Sequence, residues 1–152
     1  VVIEAVYENV ESKQQIFRDL NAFWPERTIL ASSTSAIISS RFAEVTQRPD
    51  RVLVTHYTKP AYVSLLVEIV RTEQTSDETV GIMFQVLKKS GKRPVVVQKE
   101  VLGFIAVRLE VAMAREALSM VQRGIVSPED IGTVLPPIFS RVLKCVTGGV
   151  CF

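Results

Sequence analysis

Over roughly the first hundred residues, short apolar runs alternate with amphipathic stretches. Residues 1–6 read as a buried strand with Glu4 near its end. Asn9 is placed to cap the helix that follows. In that helix Ile16, Phe17, Leu20, Phe23 and Trp24 fall on one apolar stripe. Pro25 stops it. Residues 28–31 form a second strand, which runs into Ser32-Ser33-Thr34-Ser35. A short helix is expected over residues 39–46, with Ile37, Ile38, Phe42 and Val45 as its packing side. Residues 51–55 and 64–70 read as the third and fourth strands. Thr75-Ser76-Asp77-Glu78 is a helix start, with acids where the helix dipole favours them. Val80, Met83, Phe84 and Leu87 make that helix's stripe. Lys88, Lys89 and Lys92 surround Gly91 at its end, where cations and a left-handed glycine belong. Residues 94–97 are a short fifth strand. Strand and helix in alternation argue for an α/β fold with a mainly parallel sheet covered on both faces.

Near residue 100 the pattern changes. A long helix is expected over residues 104–122, with Phe104, Ile105, Leu109, Ala112, Met113, Ala117 and Met120 as its apolar positions and Gly124 as its terminator. Ser127-Pro128-Glu129-Asp130 starts another helix that reaches about Leu135. The expected organisation is an α/β part over residues 1–99 and the start of a helical part over residues 100–152.

Composition narrows the classes. The 152 residues are 47% hydrophobic and 22% charged, a globular balance and enough chain for a domain of ordinary size. A net charge of +2, from lysines and arginines scattered along the chain, argues against a nucleic-acid partner. The apolar runs are too short and too interrupted for a membrane span, and no signal peptide is recognisable. Cys145 and Cys151 form neither a disulfide framework nor a metal site, so a reducing, cytoplasmic-type compartment and no metal are expected. The chain opens directly in a hydrophobic strand without methionine and closes on Gly148-Gly149-Val150-Cys151-Phe152 without periodicity. Both ends look cut.

The chemistry centres on two stretches. Val52-Leu53-Val54-Thr55-His56 is an apolar run ending on the only histidine, and Leu65-Leu66-Val67-Glu68-Ile69-Val70 carries one acid in its middle. A carboxylate inside such a run is costly unless it is paired. His56 is the candidate partner, and a carboxylate that holds an imidazole fixes its tautomer and stabilises its protonated form. The pair reads as an oriented general base or, the reading spacing alone favours, as a satisfied core histidine beside a strand-edge glutamate. In open α/β sheets ligands bind outside the carboxyl ends of the strands. Tyr7-Glu8-Asn9, Ser32 to Ser35 and His56 to Pro60 all lie at such ends.

These residues resemble the 3-hydroxyacyl-CoA dehydrogenase family. The resemblance is carried, in order, by Val2-Ile3-Glu4-Ala5-Val6-Tyr7-Glu8-Asn9, Ser33-Thr34-Ser35, His56-x-x-Lys59-Pro60, Leu66-Val67-Glu68 and Gly103-Phe104-Ile105 with Arg108. Gln98-Lys99-Glu100-Val101 and Gly124 to Ile131 resemble the branch of L-gulonate 3-dehydrogenase and lambda-crystallin. The resemblance implies the C-terminal half of a Rossmann-type NAD-binding domain, followed by the first helices of an all-α domain that dimerises in the full-length parent. It implies oxidation of an L-3-hydroxyacyl-CoA or L-3-hydroxyacid to the 3-keto product with NAD as cofactor. His56 matches the catalytic base, Glu68 the acid that orients it, and Ser35 a serine that touches substrate and nicotinamide. Glu8 and Lys13 match residues near the NAD ribose and nicotinamide, and Lys59 is counted with them on the cofactor side.

The sequence departs from the family pattern at three points. The G-x-G-x-x-G turn that cradles a pyrophosphate would lie upstream of Val1. Lys59 stands where the family has asparagine. Val107 stands where an asparagine is expected to bond the substrate oxygen. Two readings follow: a central fragment of a dehydrogenase, or a non-catalytic crystallin-like or decayed relative. A binding module without chemistry would leave the His–Glu pair no task. Ser35 also reads as a helix cap, and Glu8 and Lys13 as solvated surface charges.

Overall fold

A computed structural model describes residues 1–134. The elements are β1 (Val2–Glu4), α1 (Val10–Phe23), β2 (Leu30–Ser32), α2 (Ser40–Ala43), β3 (Val52–Tyr57), β4 (Leu66–Arg71), α3 (Asp77–Lys89), β5 (Arg93–Val97), α4 (Ala106–Gln122) and α5 (Pro128–Val134). The chain divides into two units, one ending at Ile105 and the other starting at Ala106. Expectations for the Pro136-Pro137 stretch, the two cysteines and the glycine-rich tail lie outside the described residues, as does the expected helix end at Leu135.

The first unit is a five-stranded sheet in the order β1-β2-β3-β4-β5. The β1–β2, β2–β3 and β4–β5 pairs are parallel, but β3 and β4 are antiparallel. The sheet is therefore mixed, and its direction reverses at its centre. The cause is chain length. Eight residues separate Tyr57 from Leu66, whereas a parallel return needs a crossover of about a dozen or more.

Alternation along the strands sorts the core into two layers. Leu30, Val52, Val54, Val70 and Val97 face Phe17 of α1 and Phe42 of α2. The rings of Phe17 and Phe42 stack with centroids 4.8 Å apart. Ala31, Leu53, Val67 and Ile69 face Val80, Met83 and Leu87 of α3 on the opposite side. His56 continues the Val52, Val54 series, and its register partner across β4 is Glu68. Both therefore belong to the α1/α2 face.

Local chemistry sets the helix ends. Asn9 accepts from the Ser12 N–H and Ser76 from the Thr79 N–H, so both helices begin on side-chain caps. Gly91 ends α3 at φ +79°, with Gly91 N–H on Lys88 O and Lys92 N–H on Leu87 O, the Schellman pattern. α1 ends before Pro25, and its last carbonyls gain a partner that spacing does not reveal. The Arg48 guanidinium donates to the carbonyls of Leu20, Asn21, Trp24 and Pro25.

Several boundaries differ from the sequence expectation. β1 stops at Glu4, and α2 is one short turn. The α1 stripe is not Ile16, Phe17, Leu20, Phe23 and Trp24. Phe23 is 84% exposed, and the inward row is Lys13, Phe17 and the partly buried Leu20. α4 starts at Ala106, two residues later than expected, because Gly103 and Phe104 are both left-handed. In the second unit, Ala117 of α4 and Ile131 of α5 form a small apolar cluster with Leu118, Met120, Val121 and Val126.

Candidate active site

β1, β2 and β3 are adjacent and parallel, so their carboxyl ends share one edge of the sheet. Two polar groups stand there.

The first group is His56 and Glu68. His56 is 4% exposed and Glu68 1%. His56 Nδ1 lies 2.7 Å from Glu68 Oε2. An ionised carboxylate only accepts, so this contact assigns the proton to Nδ1 and leaves Nε2 as the basic nitrogen. Glu68 Oε1 accepts the Ile105 N–H at 2.8 Å. The Phe104 ring packs on the imidazole, with centroids 5.3 Å apart and planes tilted by 53°. A buried acid in the middle of a strand is thus bonded through both oxygens, which offsets its desolvation.

The second group joins β1, α1 and the loop after β2. Lys13 is fully buried, and its Nζ lies 2.9 and 3.0 Å from the Glu4 carboxylate oxygens and 3.0 Å from Val6 O. Ser32 Oγ also donates to Glu4, as does the Val6 N–H at 3.0 Å. Lys13 further lies 3.7 Å from Glu8, whose side chain is 42% exposed. Glu8 accepts from Thr34 Oγ1, from the Ser35 N–H at 3.2 Å and from the Ala36 N–H at 3.1 Å. Partial burial pushes the Glu8 carboxyl up. The hydrogen bonds from Thr34, Ala36 and Ser35 and the Lys13 charge outweigh it, and the net shift is below the usual carboxylate value.

Lys13 is therefore not a solvated surface charge, and its ammonium is engaged by Glu4 and a backbone carbonyl. Glu8 is partly exposed but fixed by three donors. Ser35 caps no helix. Thr34 Oγ1 closes a local turn, accepting from the Ala36 and Ile37 N–H groups, while Ser35 stays half-buried at the strand end. Lys59 is exposed on the loop after β3. Lys92 fixes that loop from α3's end through the carbonyls of Ala61 and Ser64. Val107 lies in the first turn of α4, in the other unit. Ser32 and Thr34 fall in the hydroxyl run already placed at a strand end, but Glu4 was given no role in the site. Glu4 and Ser32 are register partners of β1 and β2 on the inward face, a pairing that the structure and not the sequence brings together. Among the described residues, no group of three or more His, Cys, Asp or Glu side chains is placed to hold a metal.

The first unit is thus a Rossmann-type α/β sheet that carries a buried histidine–carboxylate pair at its strand ends. Comparisons with known proteins place the chain in a family. The model of the 3-hydroxyacyl-CoA dehydrogenase NAD-binding domain matches residues 1–101, and that of the same family's C-terminal domain matches residues 103–138. The chain belongs to the 3-hydroxyacyl-CoA dehydrogenase family.

It is 38% identical over 135 residues to a probable 3-hydroxybutyryl-CoA dehydrogenase of Bacillus subtilis, covering 89% of this chain and 47% of that protein. It is 39% identical over 132 residues to the lambda-crystallin homolog of Homo sapiens, covering 87% of this chain and 41% of that protein. The crystal structure of (S)-3-hydroxybutyryl-CoA dehydrogenase from Ralstonia eutropha superposes with a TM-score of 0.84 at 34% identity, over 95% of this chain and 53% of that one. The chain thus spans about half the length of these relatives. The near-equal identities to the two curated relatives do not single out a branch. Among the described residues, no helix is long and apolar enough to cross a membrane.

Proposed function

We propose that this chain is the central part of an NAD-dependent oxidoreductase that converts an L-3-hydroxyacyl-CoA or L-3-hydroxyacid to its 3-keto product. The observation that carries the reading is the His56–Glu68 pair, buried side by side in register partners of β3 and β4 at the ligand-binding edge.

His56 Nε2 takes the proton from the substrate hydroxyl as C3 gives up its hydride, and the C–O bond becomes C=O. Glu68 holds the imidazole in the Nδ1–H tautomer and stabilises the imidazolium that forms. A neutral imidazole suits this proton transfer near neutral pH. NAD, when bound, supplies the acceptor for the hydride.

The residues present fit the nicotinamide end of that cofactor. Glu8 offers a fixed, partly exposed carboxylate to ribose hydroxyls, and Ser35 offers a hydroxyl beside it. Lys13 works from behind, holding the Tyr7–Glu8 segment through Glu4 and Val6 O. Lys59, exposed beyond β3, presents a cation on the same edge.

The relatives' names support a small-molecule hydroxyacyl substrate. We further infer a homodimer of the full-length protein and a reducing, cytoplasmic-type compartment. Val107 and Lys59, at positions where the family pattern has asparagine, favour a second reading as a crystallin-like relative without turnover. The full-length protein should reduce NAD with L-3-hydroxybutyryl-CoA and not with the D isomer. Absence of NADH formation with thioesters and free L-3-hydroxyacids alike would favour the second reading.

A further inference from the structure

Among the described residues, Phe104 is the only non-glycine residue in the left-handed region, with φ +49°. It follows Gly103 at φ +75° and closes a turn through its N–H on Val101 O at 3.1 Å. Burial of an apolar side chain does not require this backbone, since a right-handed residue can bury a ring equally well. A side chain persists in the left-handed region only where its surroundings over-determine it, and such residues gather at functional sites.

The consecutive left-handed residues accomplish two things at once. They lay the fully buried Phe104 ring on the His56 imidazole. They also aim the next amide, Ile105 N–H, at Glu68 Oε1. The terminal torsions of both His and Glu are broad and weakly held by their own rotamers. Each member of the pair thus receives an outside contact on the torsion that its own chemistry leaves soft.

We propose that the Gly103-Phe104-Ile105 turn is the positioning device of the His56–Glu68 pair. The Phe104 ring sets the imidazole plane. The Ile105 amide occupies Oε1 and so turns Oε2 toward Nδ1. Phe104 and Ile105 act through the pair and touch no reacting atom. The inference rests on the reading of His56 as an oriented base.

The only histidine in the sequence makes the test direct. In the full 152-residue chain, labelled with 15N at histidine, imidazole nitrogen shifts report the tautomer. The variants are Phe104→Leu, which keeps apolar burial without a ring, and Gly103→Ala, which strains the turn at its positive φ. Phe104→Tyr retains the ring and serves as the conservative rescue. Amide spectra establish that each is folded, and Gly103→Ala decides the question if Phe104→Leu does not fold.

Wild type and Phe104→Tyr should hold the Nδ1–H form. Phe104→Leu should raise the Nε2–H population about fivefold, the effect of losing one aromatic contact, and Gly103→Ala should raise it as well by straining the turn. The Ile105 amide should exchange faster in Gly103→Ala. Folded variants with the wild-type tautomer would overturn the positioning role while leaving the base reading intact. A wild-type chain already in the Nε2–H form would overturn both.

Discussion

Glu68→Gln separates a catalytic pair from a structural one. The carboxylate presents one oxygen to His56 Nδ1 at 2.7 Å and the other to Ile105 N–H at 2.8 Å. Glutamine has one oxygen and one NH2, and it meets these two donors in one of two ways. If its oxygen faces His56, its NH2 opposes the Ile105 N–H, and a buried donor without an acceptor costs about 1–3 kcal/mol. If its oxygen faces Ile105, its NH2 donates to Nδ1 and the imidazole moves its proton to Nε2. The second arrangement keeps both of these contacts satisfied, so it should prevail. Stability then changes by at most about 2 kcal/mol, because charge-assisted bonds are exchanged for neutral ones while a buried charge is removed.

The rate should fall much further. Nε2 is protonated in the resting state, and no carboxylate stabilises the imidazolium. A loss of about 10³–10⁴ in kcat is expected, about 4–5.5 kcal/mol of barrier. The assay pairs 15N shifts of the histidine in this chain with kcat in the full-length protein. A Glu68→Gln protein that keeps the Nδ1–H tautomer and a rate within tenfold of wild type would refute the reasoning.

Lys13→Met strands the buried Glu4 carboxylate, and urea unfolding should show a loss of about 3–5 kcal/mol. The double change Glu4→Leu with Lys13→Met should recover most of it, and a single-variant loss below about 1 kcal/mol would contradict the buried pair. Glu8 has a lowered carboxyl pKa, so its contribution to stability is present above the unfolded value of 4.5 and is lost as pH falls through the folded value. Glu8→Gln should therefore unfold less steeply with acid below pH 4.5, an effect muted by the exposure of Glu8. An acid-unfolding profile parallel to wild type would count against the Thr34, Ser35 and Ala36 contacts. Val107→Asn in the full-length protein should raise kcat by up to about 10²-fold if a missing substrate bond limits turnover. An unchanged kcat in a folded variant would remove Val107 as the cause.

Much of this organisation is legible in local pattern. Asn9, Ser76 and Gly91 act through neighbours three to five residues away, so their caps and stops can be read from spacing alone. The His56–Glu68 pair was readable because a lone acid in an apolar run requires a partner, and the protein has a single histidine. The reversal at β4 was also readable, from a connection of eight residues too short to return the chain, although the alternating pattern alone suggests a parallel sheet. Lys13 shares a helical stripe with Phe17 and Leu20, spaced i, i+4 and i+7, and only its charge argued for solvent. Other features depend on long-range contacts. The acceptors of Arg48 lie 23 to 28 residues earlier in the chain, and nothing near Arg48 announces them. Phe104 takes a backbone that its side chain disfavours, so propensity points the wrong way at the residue that touches the imidazole.

The central claim is that His56 removes the substrate hydroxyl proton. Its most direct test is NADH formation from L-3-hydroxybutyryl-CoA by the full-length protein and its His56→Gln variant, with circular dichroism to verify the fold. Loss of the general base should lower kcat by about 10²–10⁴-fold, with a much smaller change in KM. A folded His56→Gln protein that turns over within about threefold of wild type, well outside that range, would contradict the account.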